Sequence, residues 1–289
     1  MNKLLIVGCG DIALRALPQL VGAYEVYGLV RAPEQAERLA ALGARPLVGD
    51  LDRPESLGNL AVGATRVLHL APPPEQGTAD TRSANLIAAL APQPPERLVY
   101  ISTSGVYGDC AGAWVDEDRP AAPQTARGAR RADAERALFA WGRHSGVAVA
   151  VLRVPGIYAA ERLPLAQLRR GTPVLRAEDD VYTNHIHADD LAAICVAALD
   201  RGAPGRSYNA SDDSEMKMGD YFDLVADRSG LPRPPRVTRA AAEAGAIAPG
   251  LLSFMRESRR LVNTRIKREL GVRLRYPSVL DGVPRLAVG

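Results

Sequence analysis

The chain is poor in cysteine and has no long hydrophobic run. Its three cysteines, Cys9, Cys110 and Cys195, are an odd number and form no C-x-x-C pair. The sequence therefore indicates neither a disulfide framework nor a cysteine-based metal site. No segment approaches the roughly 20 apolar residues that a membrane-spanning helix needs, and the N-terminal apolar run is too short for a signal peptide. We expect a metal-free cytoplasmic protein that does not interact with membranes.

Lysine is scarce as well, and the positive charge is spread along the chain. The chain has 36 basic and 33 acidic residues, and only Lys3, Lys217 and Lys267 are lysines. The arginine doublets lie far apart and are interleaved with acidic residues. Because a nucleic-acid surface needs basic residues concentrated on one face, we do not expect the chain to bind nucleic acid.

What the chain does contain is an ordinary share of apolar residues, 47%, arranged in short segments. In the first half, amphipathic stretches separate six segments that have the length of buried strands: residues 3–8, 25–30, 45–48, 66–70, 97–102 and 147–153. Strand–helix alternation of this kind needs right-handed crossovers, which place helices on both faces of a parallel sheet. The near-continuous apolar strands indicate that both faces are covered. The predicted fold class is α/β, a doubly wound parallel (Rossmann) sheet.

The second half of the chain has a looser pattern with more helix than strand. We expect a dinucleotide-binding Rossmann domain over 1–160 and a smaller, mostly helical C-terminal substrate lobe over 161–289, with 184–210 returning to the Rossmann core. Asp189 or Asp190 is expected to be the N-cap of the first helix. The helices predicted here cover residues 188–199, 220–229 and 251–270.

A glycine-rich turn follows the first predicted strand and opens a helix. The residues from Gly8 to Ala13 read GCGDIA, a G-x-G-x-x-A pattern. The first glycine permits a tight turn, and the second lets the backbone approach a pyrophosphate, which the helix N-terminus then binds. The pattern predicts that Gly8, Gly10, Asp11 and Ile12 contact a dinucleotide. The alternative is that the glycines serve only the turn.

Arg31 stands at the end of the second predicted strand, where NAD-binding proteins carry an acid that holds the adenosine ribose. A guanidinium can instead pair bidentately with a 2′-phosphate. The sequence therefore favours NADP over NAD. A solvated arginine without a ligand is the alternative in a chain so rich in this residue.

Two later strand ends fit the same ligand. Asp50 follows the third strand, where its carboxylate can accept a hydrogen bond from the adenine amino group. Leu70, Ala71 and Pro72 follow the fourth strand, where small residues let a cofactor pass. We expect all four residues to contact the dinucleotide.

Four motifs together resemble the short-chain dehydrogenase/reductase superfamily. They are GCGDIA, YISTSGVYGD at the fifth strand end, PGIY after the sixth strand and TNHIHADDLA at residues 183–192. The chain is similar to an atypical branch of the extended, NAD-dependent epimerase/dehydratase type. This resemblance implies that Thr103 hydrogen-bonds the reacting oxygen beside Ser104, and that Pro155 and Ile157 flank the nicotinamide. It also implies a possible homodimer.

The chain departs from this family at the catalytic pair. Members carry Tyr-x-x-x-Lys, in which the lysine lowers the pKa of the phenol and binds the nicotinamide ribose. Here Arg127 and Arg131 occupy those positions, and none of the nine tyrosines has a lysine four residues later. Arg131 can still bind the ribose. Arg127 cannot exchange protons, because the pKa of its guanidinium is above about 12.

Another residue is therefore needed as proton donor. Tyr107 beside Thr103 is one candidate, and His185 and His187 are the others, although each has an alternative role in packing. The leading hypothesis is an NADP-dependent oxidoreductase or epimerase acting on a small polar or sugar-like substrate. The alternative is a catalytically lapsed NADP-binding sensor or scaffold that reports to a partner protein. A structural protein with an empty Rossmann-like domain is the third hypothesis.

Overall fold

A parallel sheet lies at the centre of the computed structural model, which describes residues 2–60 and 62–285. The strands in chain order are β1 (Asn2–Val7), β2 (Tyr24–Val30), β3 (Arg45–Val48), β4 (Arg66–His69), β5 (Arg97–Thr103), β6 (Trp114–Val115), β7 (Ala148–Val154), β8 (Gly156–Tyr158), β9 (Val174–Leu175), β10 (Tyr182–Thr183), β11 (His185–His187), β12 (Arg206–Asn209), β13 (Met216–Lys217), β14 (Arg236–Val237) and β15 (Arg260–Leu261). Seven of them form one sheet in the order β12-β7-β5-β4-β1-β2-β3. Every neighbouring pair in it is parallel.

Helices cover both faces of this sheet, and others lie outside it. In chain order the helices are α1 (Asp11–Leu20), α2 (Pro33–Ala41), α3 (Thr81–Leu90), α4 (Ala126–Ser145), α5 (Leu165–Arg169), α6 (Ala188–Arg201), α7 (Met218–Arg228), α8 (Arg239–Ala241), α9 (Pro249–Phe254), α10 (Thr264–Glu269) and α11 (Val279–Gly282). Helix α1 packs against α6, and α3 packs against α4. The predicted doubly wound α/β fold is confirmed. In the ranges that the structure describes, no helix has both the length and the apolar character needed to cross a membrane.

The alternation of side chains along β1 shows why its last four residues, 4–7, are all apolar. Leu4 and Ile6 belong to the core on one face of the sheet, whereas Leu5 and Val7 belong to the core on the other face. All four side chains are fully buried. Successive residues of a strand point to opposite faces, so a segment covered on both faces favours apolar residues at consecutive positions.

The six strands predicted from apolar runs are found within one residue at each end. The seventh strand of the sheet, β12, was not predicted. It pairs with β7 at the edge, and its sequence RSYN is mostly polar. Its last three residues are nevertheless buried, and the side chain of Asn209 is satisfied by hydrogen bonds with Tyr107 and with the carbonyls of Val115 and Val262. A buried polar side chain is tolerated when such partners are present. Pattern alone therefore gave no signal for β12.

The chain leaves the sheet after β7, contributes residues to a second core, and then returns to the sheet at α6 and β12. Helix α6 and strand β12, between residues 188 and 209, pack against the sheet. The second core lies among α5, α7 and α9 and includes Leu168, Phe222, Val225 and Leu252. These residues are supplied by segments on either side of α6 and β12, which therefore interrupt the second core in sequence but not in space.

The predicted helix over residues 251–270 is wrong. Helix α9 ends at Phe254, the chain then runs extended through β15, and α10 begins at Thr264. Tertiary hydrogen bonds cause the break: β15 pairs with β6, and the carbonyl of Ser258 accepts from the backbone N–H groups of Cys110 and Gly112. These contacts outweigh the helical propensity of a charged segment.

The predicted N-cap of α6 is also wrong. His187 precedes this helix, and its Nδ1 accepts a hydrogen bond from the backbone N–H of Asp189. The carboxylate of Asp190 accepts instead from the backbone N–H groups of Arg275 and Tyr276, at 2.7 and 2.9 Å. Asp190 therefore fixes the C-terminal segment to α6 and does not cap the helix.

Candidate functional site

A cavity of about 400 Å³ opens at the carboxyl ends of β1, β2 and β4, and we call it the glycine-loop cavity. Its wall contains most of the residues that the sequence predicted as cofactor contacts. They are Gly8, Gly10, Asp11, Ile12, Arg31, Asp50, Leu70, Ala71, Pro72 and Ile157, and Arg131 joins them. Pro155 lines a neighbouring cavity instead. Strands that are distant in sequence thus bring the predicted residues together at one edge of the sheet.

The glycine turn requires glycine at its first position. Gly8 has φ +94°, and a Cβ there would lie 2.5 Å from the backbone nitrogen of Ala71. At Gly10 an added Cβ would meet nothing within 4 Å, and no side chain caps the helix α1 that follows. The first amides of α1 are therefore open to an anion from the cavity.

Asp11 in the first turn of α1 is held by two arginines. Its carboxylate oxygens pair with Arg15 Nε at 2.8 Å and Arg162 Nη1 at 2.9 Å. Partial burial alone raises the pKa of Asp11, but the hydrogen bonds from Arg15 and Arg162 outweigh it and lower the pKa below its ordinary value. Arg15 also pairs with Asp189 and Glu161. This network fixes the glycine turn to the segment after β8.

The far end of the glycine-loop cavity carries Arg31. Its side chain is exposed and forms no ion pair with any residue in the described ranges. Its backbone N–H donates to Gln35. Asp50 nearby is partly engaged in its own loop, since its Oδ1 accepts from the backbone N–H of Asp52 at 3.0 Å. Arg31 thus remains available to a ligand in this cavity.

A second cavity of about 310 Å³ adjoins the first, and we call it the inner cavity. The two cavities share Ile157 and Arg162 in their walls. Thr103 at the end of β5 and Pro155 directly after β7 line the inner cavity. The later segments contribute His185, Met218, Tyr221, Phe222, Leu251, Phe254, Glu257 and Arg259.

Thr103 ends β5 and begins a single helical turn over residues 104–107. Its Oγ1 accepts a hydrogen bond from the backbone N–H of Gly105 at 3.2 Å. Because a hydroxyl both accepts and donates, the O–H of Thr103 is left to donate to a ligand. Ser104 lies beside it in the wall of the inner cavity. The arrangement can polarise a carbonyl placed next to Thr103.

Tyr107 does not line either cavity. The side chain is 1% exposed, and its hydroxyl donates to Asn209 Oδ1 at 2.8 Å. Burial raises the pKa of Tyr107 to about 12. The guanidinium of Arg153 lies 4.8 Å from the centre of its ring. We therefore replace the predicted catalytic role of Tyr107 with a structural one, in which it ties the turn after β5 to β12.

The two candidate histidines lie in different surroundings. His185 lines the inner cavity and stacks on Tyr221. Burial lowers the pKa of His185 to about 3, so the ring is neutral at pH 7. His187 caps α6 and stacks on Tyr276 with the ring centres 3.8 Å apart. Of the two, the structure brings only His185 into the wall of the inner cavity.

Arg127 and Arg131 lie one turn apart in α4 but contact different cavities. Arg131 lines the glycine-loop cavity, where its Nη1 donates to the carbonyl of Ile101 at 2.6 Å. Arg127 lines the inner cavity, and its guanidinium lies 4.1 Å from the ring centre of Phe254. Burial lowers the pKa of Arg127, and the charge of Glu257 opposes this shift. An arginine nevertheless stays charged at pH 7.

Glu257 and Arg259 were missed by sequence reasoning. Both are buried in the wall of the inner cavity, and both guanidinium Nη atoms of Arg259 lie 3.0 Å from Glu257 Oε2. In the sequence they belong to a charged segment that resembles a solvated helix. Their burial depends on the pairing of β15 with β6, a contact between distant parts of the chain that no local pattern signals.

Comparison with known proteins gives the family. A family model described as NAD(P)H-binding matches residues 8–202. The chain is 26% identical over 267 residues to the 4-hydroxy-2-methyl-3-oxo-4-farnesyl-3,4-dihydroquinoline-1-oxide ketoreductase of Stigmatella aurantiaca, and the aligned region covers 85% of this chain and 80% of that protein.

In the part of the chain that the structure describes, no group of three or more His, Cys, Asp or Glu residues could hold a metal ion.

Two solved structures have the same fold over nearly the whole chain. A functionally unknown conserved protein from Silicibacter pomeroyi has a TM-score of 0.80 at 33% identity and covers 98% of this chain and 96% of its own. The dTDP-glucose 4,6-dehydratase from Streptomyces venezuelae, solved with NAD and TYD bound, has a TM-score of 0.78 at 22% identity and covers 97% and 94%. The chain belongs to the NAD(P)H-binding family, with the extended short-chain dehydrogenase/reductase fold that its motifs predicted.

Proposed function

We propose that the chain is an NADPH-dependent carbonyl reductase that acts on a small polar substrate. The observation that carries this proposal is the junction of the two cavities at Ile157 and Arg162, with Arg131 on one side and Thr103 on the other. The junction would hold a dinucleotide beside a carbonyl compound, and proximity of this kind is a large part of catalysis. Similarity to a ketoreductase over 85% of the chain agrees with the proposal.

The residues of the glycine-loop cavity fit a dinucleotide. A Cβ at Gly8 would clash with the backbone of Ala71, so glycine keeps the turn tight, and the amides at the start of α1 have no side-chain cap. These amides would bind the diphosphate, and Arg131 would bind the nicotinamide ribose. When bound, the dinucleotide supplies the reducing equivalents, and the protein supplies orientation and electrostatics.

Arg31 supports NADP as the cofactor. In the described part of the chain its guanidinium has no carboxylate partner, and it lies in the wall of the glycine-loop cavity. The 2′-phosphate of NADP would be an anionic partner for this guanidinium, held by charge-assisted hydrogen bonds. Under this proposal the protein binds NADP more tightly than NAD.

In the inner cavity, the hydroxyl of Thr103 would donate a hydrogen bond to the carbonyl oxygen. The positive charge of Arg127 and the neutral ring of His185 would stabilise the negative charge that develops on this oxygen during reduction. Since neither Arg127 nor a buried neutral histidine readily gives up a proton, the alcohol would take its proton from solvent that reaches the cavity. This replaces the proton transfer that a tyrosine–lysine pair performs.

The test of this proposal is NADPH consumption with a panel of aldehydes and ketones. For any substrate found, Thr103→Val should lower kcat/KM by about 100-fold, as expected when one donor to the developing oxyanion is removed. Thr65→Val is the matched control, since Thr65 lies at the opposite end of the sheet and its hydroxyl donates to the carbonyl of Lys3. An unchanged kcat/KM in Thr103→Val would contradict the role of Thr103.

The second candidate function is a catalytically lapsed NADP-binding sensor or scaffold. Arg127 at the position of the family's tyrosine favours it, because this residue cannot perform the proton transfer. Tight NADP binding without NADPH consumption across the panel would support the sensor and reject the reductase.

The division of the chain into two domains at residue 160 and the formation of a homodimer are also proposals.

A further inference from the structure

The ion pair of Glu257 and Arg259 lies in the wall of the inner cavity without being fully satisfied. Glu257 is 6% exposed and Arg259 is 9% exposed. Arg259 donates two hydrogen bonds to Glu257 Oε2 and one, at 2.7 Å, to the carbonyl of Gly108. The other oxygen of the carboxylate, Oε1, is buried and accepts no hydrogen bond from any described residue.

A buried carboxylate oxygen without a donor is energetically unfavourable, because it has lost its hydration and gained nothing in return. Arg259 Nε and His185 Nδ1 are buried without partners in the described ranges as well, and all three residues line the inner cavity. Unpaired polar atoms that gather at one cavity are typical of a site whose partners arrive with a ligand.

Glu257 is close to the hydroxyl that would bind the reacting carbonyl. A Cβ built on Gly105 would lie 3.5 Å from Thr103 Oγ1 and 3.9 Å from Glu257 Oε2. Oε2 is the oxygen that already accepts from Arg259, and it borders the same part of the inner cavity as the Thr103 hydroxyl. A compound whose carbonyl oxygen contacts Thr103 would have the Glu257 carboxylate in the same cavity wall, where a carboxylate can accept further hydrogen bonds.

Apolar side chains form part of the inner cavity wall. Met218, Phe222, Leu251 and Phe254 line it, and Phe254 is 51% exposed at the rim. These side chains would pack against an aryl or alkyl group of a ligand. The inner cavity therefore combines polar groups, among them Thr103, Glu257 and Arg127, with an apolar surface.

We propose that Glu257 determines substrate specificity by accepting a hydrogen bond from a hydroxyl group next to the reacting carbonyl. The substrate class is then a hydroxyketone that carries an apolar substituent. Arg259 is a positioning residue that holds the carboxylate. This inference rests on the proposed reductase function for the carbonyl, whereas the recognition of the hydroxyl by Glu257 can be tested by binding alone.

The test compares ligands that differ in one donor. Calorimetry in the presence of NADP measures the affinities of 1-phenyl-1,2-ethanediol and its 2-O-methyl ether, which resemble the products. NADPH consumption is measured with 2-hydroxyacetophenone and 2-methoxyacetophenone. The wild-type protein should prefer the hydroxyl compound of each pair by about 10- to 100-fold, as expected for a hydrogen bond to a charged acceptor.

Two variants remove this acceptor in different ways. Glu257→Gln keeps the shape and should reduce the preference to about threefold or less, because the charge of the acceptor is lost. The double variant Glu257→Met with Arg259→Met replaces the buried pair by apolar groups, which leaves no unpaired buried charge, and should abolish the preference. Glu269→Gln, which breaks a surface pair with Arg206, is the control and should keep it.

The preference is a ratio and does not depend on the fraction of folded protein. Failure of the wild type to bind the diol, a wild-type ratio near one, or an unchanged ratio in both Glu257 variants would each overturn the inference. If the binding ratio behaves as expected but no ketone consumes NADPH, the hydroxyl recognition stands and the reductase function fails. The two proposals are thus separated by the two measurements.

Discussion

The glycine-loop cavity and the inner cavity are built in different ways. The first is formed by the ends of neighbouring strands of one sheet and by the turns that directly follow them. The second is closed by segments that come from both sides of α6 and β12, including the extended stretch between α9 and α10. Many proteins with this sheet can therefore bind the same type of ligand at its edge. The wall of the inner cavity comes from distant segments, so its residues can differ between proteins without disturbing the sheet.

The largest effect is expected from a substitution in the glycine turn. Gly8→Ala would place a methyl group 2.5 Å from the Ala71 nitrogen at a φ of +94°, and such strain costs about 1–3 kcal/mol before the clash is counted. NADP affinity should fall by at least about 100-fold. Calorimetry with NADP measures the loss.

Gly22→Ala is the matched control, because a Cβ there meets nothing within 4 Å and no positive φ is required. It should bind NADP as the wild type does. Wild-type affinity in Gly8→Ala would show that the glycine turn does not carry the dinucleotide, and the assignment of the first cavity would be rejected.

An intermediate effect is expected at the adenosine end of the same cavity. Arg31→Asp should lower the ratio of NADP to NAD affinity by about 10- to 100-fold, because a charge-assisted contact with the 2′-phosphate is replaced by repulsion. Fluorescence titration with both dinucleotides gives the ratio. Arg38→Asp makes the same change of charge on α2, outside the cavity, and should leave the ratio unchanged. Equal affinities of the wild-type protein for NADP and NAD would contradict the proposed contact between Arg31 and the 2′-phosphate.

The last prediction concerns the pH dependence of the free energy of unfolding. Burial lowers the pKa of His185 to about 3, below its value of about 6.5 in the unfolded chain. The unfolded state therefore binds one more proton between these values, and His185 makes stability fall as the pH drops below about 6.5. Urea unfolding between pH 7 and 4 should show a shallower decline in His185→Gln.

His69 responds to burial in the same direction, with a pKa lowered to about 3, so His185→Gln should remove only part of the decline. His144 is exposed, and His144→Gln is the control, which should keep the wild-type slope. An identical slope in His185→Gln and wild type would mean that His185 is not buried as described.

Sequence patterns predicted the central sheet and the first cavity because the signals are local. Buried strands are rich in consecutive apolar residues, and the glycine turn needs a glycine at position 8, so both can be recognised from neighbouring residues in the sequence. Arg31 directly follows β2 and Asp50 follows β3 after Gly49, and the strand order places both near the turn.

The inner cavity was predicted only in part because its residues depend on tertiary contacts. Tyr107 lies three residues from Ser104, yet the bond to Asn209 and the packing of Arg153 turn it away from the cavity. His187 differs from His185 by two positions but caps a helix. Glu257 follows α9 in a segment whose helical composition is overridden by the pairing of β15 with β6.

Arg162 has a consequence for the order in which ligands arrive. Its guanidinium pairs with Asp11 and lines both cavities, so a compound in either one can draw it away from that carboxylate. Each ligand would then alter the affinity of the protein for the other ligand. Thermodynamic linkage requires that the first ligand change the affinity for the second by the same factor as the second changes the affinity for the first.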